Sequence, residues 1–115
     1  MKEIGQSVLF RLPQTNVTEG KLRPALLLAK LPGVYDDWLI CMISSQIPQY
    51  IQNFDEIIRE TDSDFAESGL KETRVIRPGR LTVVEGSILL GAIGRISSDR
   101  LQRIKSRLAA WLLEP

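Results

Sequence analysis

The chain contains no histidine. Histidine is the commonest general base and the commonest metal ligand among side chains. Its absence excludes a Ser-His-Asp triad, a Cys-His dyad and any histidine-built metal site. There is a single cysteine, Cys41, so no intrachain disulfide and no cysteine cluster for zinc can form. Cys41 lies within Trp38-Leu39-Ile40-Cys41-Met42-Ile43, an apolar run that reads as a place for a buried structural thiol. No apolar stretch reaches the length that crosses a membrane. The opening Met1-Lys2-Glu3-Ile4-Gly5-Gln6 lacks the apolar core of a signal peptide, so a cytoplasmic protein with no membrane partner is expected. Strong charge is missing too. A formal net charge of +1 argues against a protein that coats nucleic acid nonspecifically, and a nucleic-acid site here has to be local.

What is present reads as one domain over residues 1–115, mostly β. Strands are expected over Ser7 to Leu12, Pro24 to Lys30 and Trp38 to Ser44. The second is nearly continuous in apolar residues, as in a strand buried on both faces. Asn53 to Glu60 suggests a short edge strand, followed by a polar break at Thr61-Asp62-Ser63-Asp64. Thr73 to Arg77 and Arg80 to Glu85 read as two strands joined by a Pro78-Gly79 turn. Ser87 to Ile96 reads as the last strand, with Gly91 and Gly94 marking a bulge or bend. The chain ends in a helix with Ser98 at its N-cap and Asp99 in the first turn. Leu101, Ile104, Leu108 and Leu112 form its apolar stripe, and Arg100, Arg103, Lys105 and Arg107 its expected solvated basic face. Short strands, Gly/Pro turns and one terminal helix suggest a small, strongly bent β-barrel. Asp55, Glu56, Glu60, Asp62, Asp64 and Glu67 lack ordered metal-ligand spacing and read as a solvated acidic face.

One local pattern stands out: Glu19-Gly20-Lys21-Leu22-Arg23-Pro24-Ala25-Leu26-Leu27-Leu28. Proline is tolerated at the start of a strand, and it holds the preceding residue extended. Arg23 is thereby fixed at the lip of a sheet. A fixed guanidinium presents a fork of donors that matches phosphate oxygens. On spacing alone, a plain surface arginine before a strand explains the pattern equally simply.

Four segments in order carry a resemblance that covers nearly the whole chain. They are Gly5-Gln6-Ser7-Val8-Leu9-Phe10; the Glu19 to Leu26 segment; Ile43-Ser44-Ser45-Gln46-Ile47; and Gly69-Leu70 with Val75-Ile76-Arg77 and Gly91 to Ser97. Together they resemble the PemK/MazF family of toxin endoribonucleases from bacterial toxin–antitoxin systems. The resemblance implies a Src-homology-3-like barrel with a C-terminal helix, usually a homodimer. It implies a metal-independent enzyme with no cofactor that cuts single-stranded RNA and is blocked by an antitoxin protein. The sequence departs from the family at Ser44, where threonine is common, and at Arg74, where serine is common.

The resemblance places catalysis on Arg23 and Ser44. Preorganised donors aimed at developing charge usually supply the largest catalytic effect, and Arg23 fits that role better than proton donation. Ser44 would hold and orient the phosphate; its plain role is a strand-end hydroxyl serving local backbone. Glu19, in the loop before Arg23, is the candidate general base, and a solvated loop glutamate is its plain reading. Lys21, Arg80, Ser45 and Gln46 are the expected RNA contacts. Phe10, Tyr35 and Trp38 are able to stack on bases but read as packing residues. Two other readings stay open: a non-enzymatic inhibitor like the CcdB toxins, which bind DNA gyrase, and a family member that has lost catalysis.

Overall fold

A computed structural model gives the fold and describes residues 2–11 and 22–115. Six strands form one antiparallel sheet: β1 Gln6–Arg11, β2 Leu22–Lys30, β3 Asp37–Ser44, β4 Glu56–Ile58, β5 Arg74–Glu85 and β6 Leu89–Arg95. Their order across the sheet is β4-β5-β3-β2-β1-β6. A four-residue helix, α1, spans Phe65–Ser68, and the long helix α2 spans Ser98–Leu112. No helix among the described residues is long and apolar enough to cross a membrane.

Alternation along the strands splits the core in two. Leu26, Leu28, Cys41, Ile43, Ile58 and Ile76 point to one face, where Ile104 and Leu108 of α2 close over them. Val8, Phe10, Ala25, Leu27, Trp38 and Ile40 point to the other, joined by Leu89 of β6. β2 is buried on both faces because its apolar residues feed both clusters, as the unbroken run from Ala25 to Leu28 requires. Cys41 is fully buried, and desolvation, helped by the nearby Asp55 charge, pushes its thiol pKa strongly up. It is an inert core group.

The sheet bends strongly at bulges. The β1–β6 pairing shifts register twice, opposite Gly91 and Gly94, as the two glycines suggested. Gly94 has a second reason to be glycine: a Cβ there would lie 2.1 Å from the Glu67 carbonyl oxygen of α1. The end strands β4 and β6 do not pair, so the described sheet is a bent, open form of the expected barrel.

Three local expectations change. Pro78-Gly79 is not a turn between two strands. β5 runs unbroken past it, with Met42 paired to Arg77 and Cys41 paired to Leu81, so residues 78–80 form a bulge. Proline has no N–H to lose from the ladder at such a point. The helix is capped by Ser97, one residue before Ser98, because the Ser97 hydroxyl accepts from Arg100 N at 3.2 Å. The last strand starts at Leu89, after a 3-10 turn over Gly86–Ile88.

The largest correction concerns charge. The acidic stretch and the basic helix face are not two solvated faces; they are packed against each other. Arg100 is buried and grips Asp64 with Nε at 2.9 Å and Nη2 at 3.0 Å. It also reaches Glu56 at 3.1 Å and Asp62 at 3.0 Å. Arg103 and Arg107 reach the same Glu56 at 3.0 and 2.7 Å. Burial works against the Asp64 charge, but the hydrogen bonds from Arg100 and Ser97 and the Arg100 charge win, holding its pKa at about 2 against an ordinary 3.8. Burial likewise opposes the Arg100 charge, and Asp64 and Glu56 more than restore it, so its pKa rises. This network ties β4 and the α1 region to α2. Asp99 and Lys105 take no part in it.

Candidate functional site

Sheet geometry gathers the site. β2 pairs with β3 through Ala25–Met42 and Leu26–Cys41, and extending that register brings Arg23 opposite Ser44. Met42 in turn pairs with Arg77 of β5, and Ser44 with Val75. Opposed residues share a face, and so do residues two apart on one strand. Arg23, Ser44 and Arg77 therefore emerge on one side of the sheet, at the end of the second core. Pro24 lies where β2 is paired with β1 alone, since pairing to β3 begins at Ala25. Its missing N–H costs nothing there, and Arg23 leaves the strand in an extended, paired state opposite Phe10.

The bulge completes the arrangement. Along a regular strand, Arg77 and Arg80 would point to opposite faces. With the bulge at residues 78–80 shifting the register, both line one cleft of about 280 Å³ together with Arg23, Met42, Ile43, Ser44 and Gln49. The Arg77 guanidinium is held from both ends. Its Nη1 donates to Gln49 Oε1 at 2.8 Å, and its Nε lies 3.5 Å from Asp55 Oδ2 without the geometry of a hydrogen bond. Asp55 is itself 1% exposed and accepts from Ile51 N at 2.9 Å. Gln49 reaches the cleft because Pro48 sits in a 3-10 turn over Ile47–Gln49, directly after β3.

Ser44 does two things. Its Oγ accepts a hydrogen bond from Gln46 N at 3.0 Å, which fixes the hydroxyl at the strand end. The hydroxyl proton is left over for an acceptor in the cleft. Arg23 and Arg80 are exposed, and neither has a carboxylate partner among the described residues.

Of the residues that the sequence put forward, Arg23, Ser44 and Arg80 share the cleft. Ser45 and Gln46 follow directly in the turn after β3, where Gln46 Nε2 donates to Ser45 Oγ at 3.5 Å, and they do not line it. Glu19 and Lys21 lie outside the described residues. Phe10 and Trp38 are core residues, but Tyr35 is 73% exposed. Arg77 and Gln49 were missed. The signal for Arg77 was the Pro-Gly inside an otherwise continuous strand pattern, the mark of a bulge as much as of a turn. Glu56 and Asp64, the carboxylates of any carboxylate-metal reading, are committed to arginines, and no group among the described residues is arranged to hold a metal ion.

Chemically, this is a patch of three guanidinium groups and one directed hydroxyl beside the apolar Met42. It suits an anion with several oxygens, and its described lining contains no carboxylate to serve as a base. Fold and cleft together define a small protein with a bent antiparallel sheet, one capping helix and a cationic opening at the strand ends. The model of the PemK-like, MazF-like toxins of type II toxin–antitoxin systems matches residues 4–112, and the chain belongs to that family. None of the curated proteins is similar enough in sequence to match it. Among solved structures, a mycobacterial endoribonuclease in complex with its cognate antitoxin superposes with a TM-score of 0.71. That match covers 100% of this chain and 98% of the other at 13% identity. The Mycobacterium tuberculosis toxin MazF-mt6 gives a TM-score of 0.68 over 96% of this chain and 99% of that one, at 15% identity. Identities this low speak for the fold alone.

Proposed function

We propose that this toxin is an endoribonuclease that cuts single-stranded RNA, messenger RNA included, at short sequences and without a metal. It works in the cytoplasm as a homodimer and is silenced by a cognate antitoxin. Family membership supports the class of activity. The observation that carries the reading is the convergence of Arg23, Ser44, Arg77 and Arg80 on one cleft.

The chemistry asks for little equipment. The 2′-oxygen of the substrate forms a bond to phosphorus as the bond from phosphorus to the 5′-oxygen of the next nucleotide breaks. A base takes the 2′-hydroxyl proton, and the 5′-oxygen picks one up from solvent. The products carry a 2′,3′-cyclic phosphate and a 5′-hydroxyl. Negative charge grows on the non-bridging oxygens, and Arg23 stabilises it. Ser44 donates its free proton to the same phosphate and orients it. Arg77, pinned by Gln49 and Asp55, is a second preorganised cation, while Arg80 and Lys21 contact the RNA backbone. Ser45 and Gln46 set the turn that aims Ser44 and meet RNA outside the cleft. Glu19, which precedes β2 in the sequence, takes the proton.

The test is incubation of the protein with a long single-stranded RNA in EDTA, beside Arg23→Ala, with product ends mapped. Discrete cuts by the wild type alone, ending in cyclic phosphate, are expected. Equal cutting by both proteins removes Arg23 from catalysis, and loss of cutting in EDTA removes the metal-free mechanism. No cutting by either sends the protein to the gyrase-inhibitor or non-catalytic readings.

A further inference from the structure

A second cleft adjoins the first and is its chemical opposite. It measures about 470 Å³, within the roughly 300–1,000 Å³ range of small-molecule sites. Ile51, Phe54, Trp111 and Gly79 give it an apolar lining, and the one carboxylate there, Asp55, is buried and faces Arg77. Its lip is made by Arg77 and Arg80, the same two arginines that close the catalytic cleft. Phe54 and Trp111 meet edge to face, with ring centroids 5.5 Å apart and planes at 68°. Trp111 comes from the last turn of α2, remote in sequence from every other site residue, and it remains 46% exposed despite this contact. At Gly79 a Cβ would stand 3.2 Å from Phe54 Cε2.

We infer that this cleft is a nucleobase subsite, in which an unpaired base of the RNA stacks on Trp111 while Arg77 and Arg80 hold the phosphate that links it to the cut nucleotide. The inference rests on the endoribonuclease reading and adds the residues that choose which RNA is cut. The argument is charge and shape together. An apolar slot with one aromatic wall held by another takes a flat, weakly polar ring. Cations confined to its lip, on the side of the catalytic cleft, require that the ring be joined to an anion leaving in that direction. A nucleotide in a single strand meets both conditions, and stacking on an aromatic side chain is how such strands gain most of their non-ionic affinity. A duplex does not fit, because its bases are already stacked and paired. Trp111 thus acts as a positioning residue: it holds the neighbour of the reacting nucleotide and touches no reacting atom.

The test starts from the sequence that the wild type cuts. An oligonucleotide of that sequence, with a 2′-deoxy sugar at the cut position so that it binds without reacting, is titrated onto wild type, Trp111→Phe and Trp111→Ala. A second series replaces one base at a time by an abasic site. Trp111→Ala is expected to weaken binding by about tenfold, with Trp111→Phe close to wild type. One abasic position beside the cut is expected to cost the wild type a similar factor and Trp111→Ala nothing further. Trp111 is half exposed near the chain end, so unchanged melting temperatures are expected to accompany these losses. An abasic series identical in wild type and Trp111→Ala overturns the inference while leaving the endoribonuclease reading intact. A Trp111→Ala protein that cuts as wild type does but escapes its antitoxin also overturns it, and gives the cleft to an apolar segment of that protein. A wild type that cuts no RNA defeats the underlying reading before any titration begins, so that failure is distinct from the failure of this inference.

Discussion

Arg100, Arg103 and Arg107 on α2 face carboxylates at 2.7 to 3.1 Å, whereas Arg23 and Arg80 face an open cleft with no carboxylate partner among the described residues. The first group is cancelled internally and holds β4 and the α1 region to the helix. The second is left over. A net charge of +1 conceals this division, because it does not reveal that Glu56, Asp62 and Asp64 are spent on the arginines of α2. Whole-chain charge therefore says little about a local anion site; what decides is which cations lack a partner. Arg77 stands between the two groups, half-neutralised by Asp55 and aimed into the cleft by Gln49.

Substitutions break this comparison in different currencies. Arg100→Ala strips Asp64 and Glu56 of their main partner in a buried site, and breaking such a pair costs about 3–5 kcal/mol. A fall in melting temperature of roughly 10–30 °C is expected by calorimetry or circular dichroism, with any remaining folded protein still able to cut RNA. Arg23→Ala is the mirror case. Cleavage should drop by about 10²–10³-fold, the usual effect of removing one preorganised donor, while the melting temperature stays where it was. A melting shift comparable to that of Arg100→Ala would show that Arg23 is structural after all. Ser44→Ala should lower kcat/KM by about 10–100-fold, the worth of a hydrogen bond to a charged partner, with a small stability loss from the Gln46 turn.

Acid sharpens the contrast next. The folded pKa of Asp64 lies at about 2, below its ordinary 3.8, so this carboxylate stabilises the fold above the ordinary value. That stabilisation, about 2 kcal/mol, is lost as pH falls from near 4 through 2. Urea midpoints measured between pH 5 and pH 2 should show the loss, and Arg100→Met should lack the Asp64 share of it. The smallest effect belongs to the exposed pair Arg95–Glu3, 2.6 Å apart with both side chains about half exposed. Glu3→Ala should cost under about 1 kcal/mol, and less in high salt.

The helix, the doubly buried β2 and the Arg23-Pro24 entry were legible because each is written in consecutive residues. The ionic network was not. Arg100, Arg103 and Arg107 do fall on one helical stripe, but the carboxylates that meet it come from β4 and the segment around α1, more than 30 residues away in the chain by the separations of 36 to 51 residues that their hydrogen bonds span. Only tertiary packing joins them. Arg77 was hidden for a related reason. Period-2 reasoning sends Arg77 and Arg80 to opposite faces, and the bulge at Pro78-Gly79 that reunites them looks in sequence like a turn. Trp111 adjoins Leu112 at the end of the helix stripe, and nothing in the helix itself predicts that Phe54 waits opposite.

The composition of the cleft has a consequence for control. Arginine, serine, glutamine, methionine and isoleucine line it, and none of these is a side chain that changes charge between pH 5 and 8. Its described lining offers no cysteine to oxidise either, since Cys41 is sealed in the core. Acidity in that range has no handle on these side chains, and an oxidant reaches only the Met42 thioether among them. The positive charge of such a surface is in place from the moment it folds, and an anionic occupant is what neutralises it.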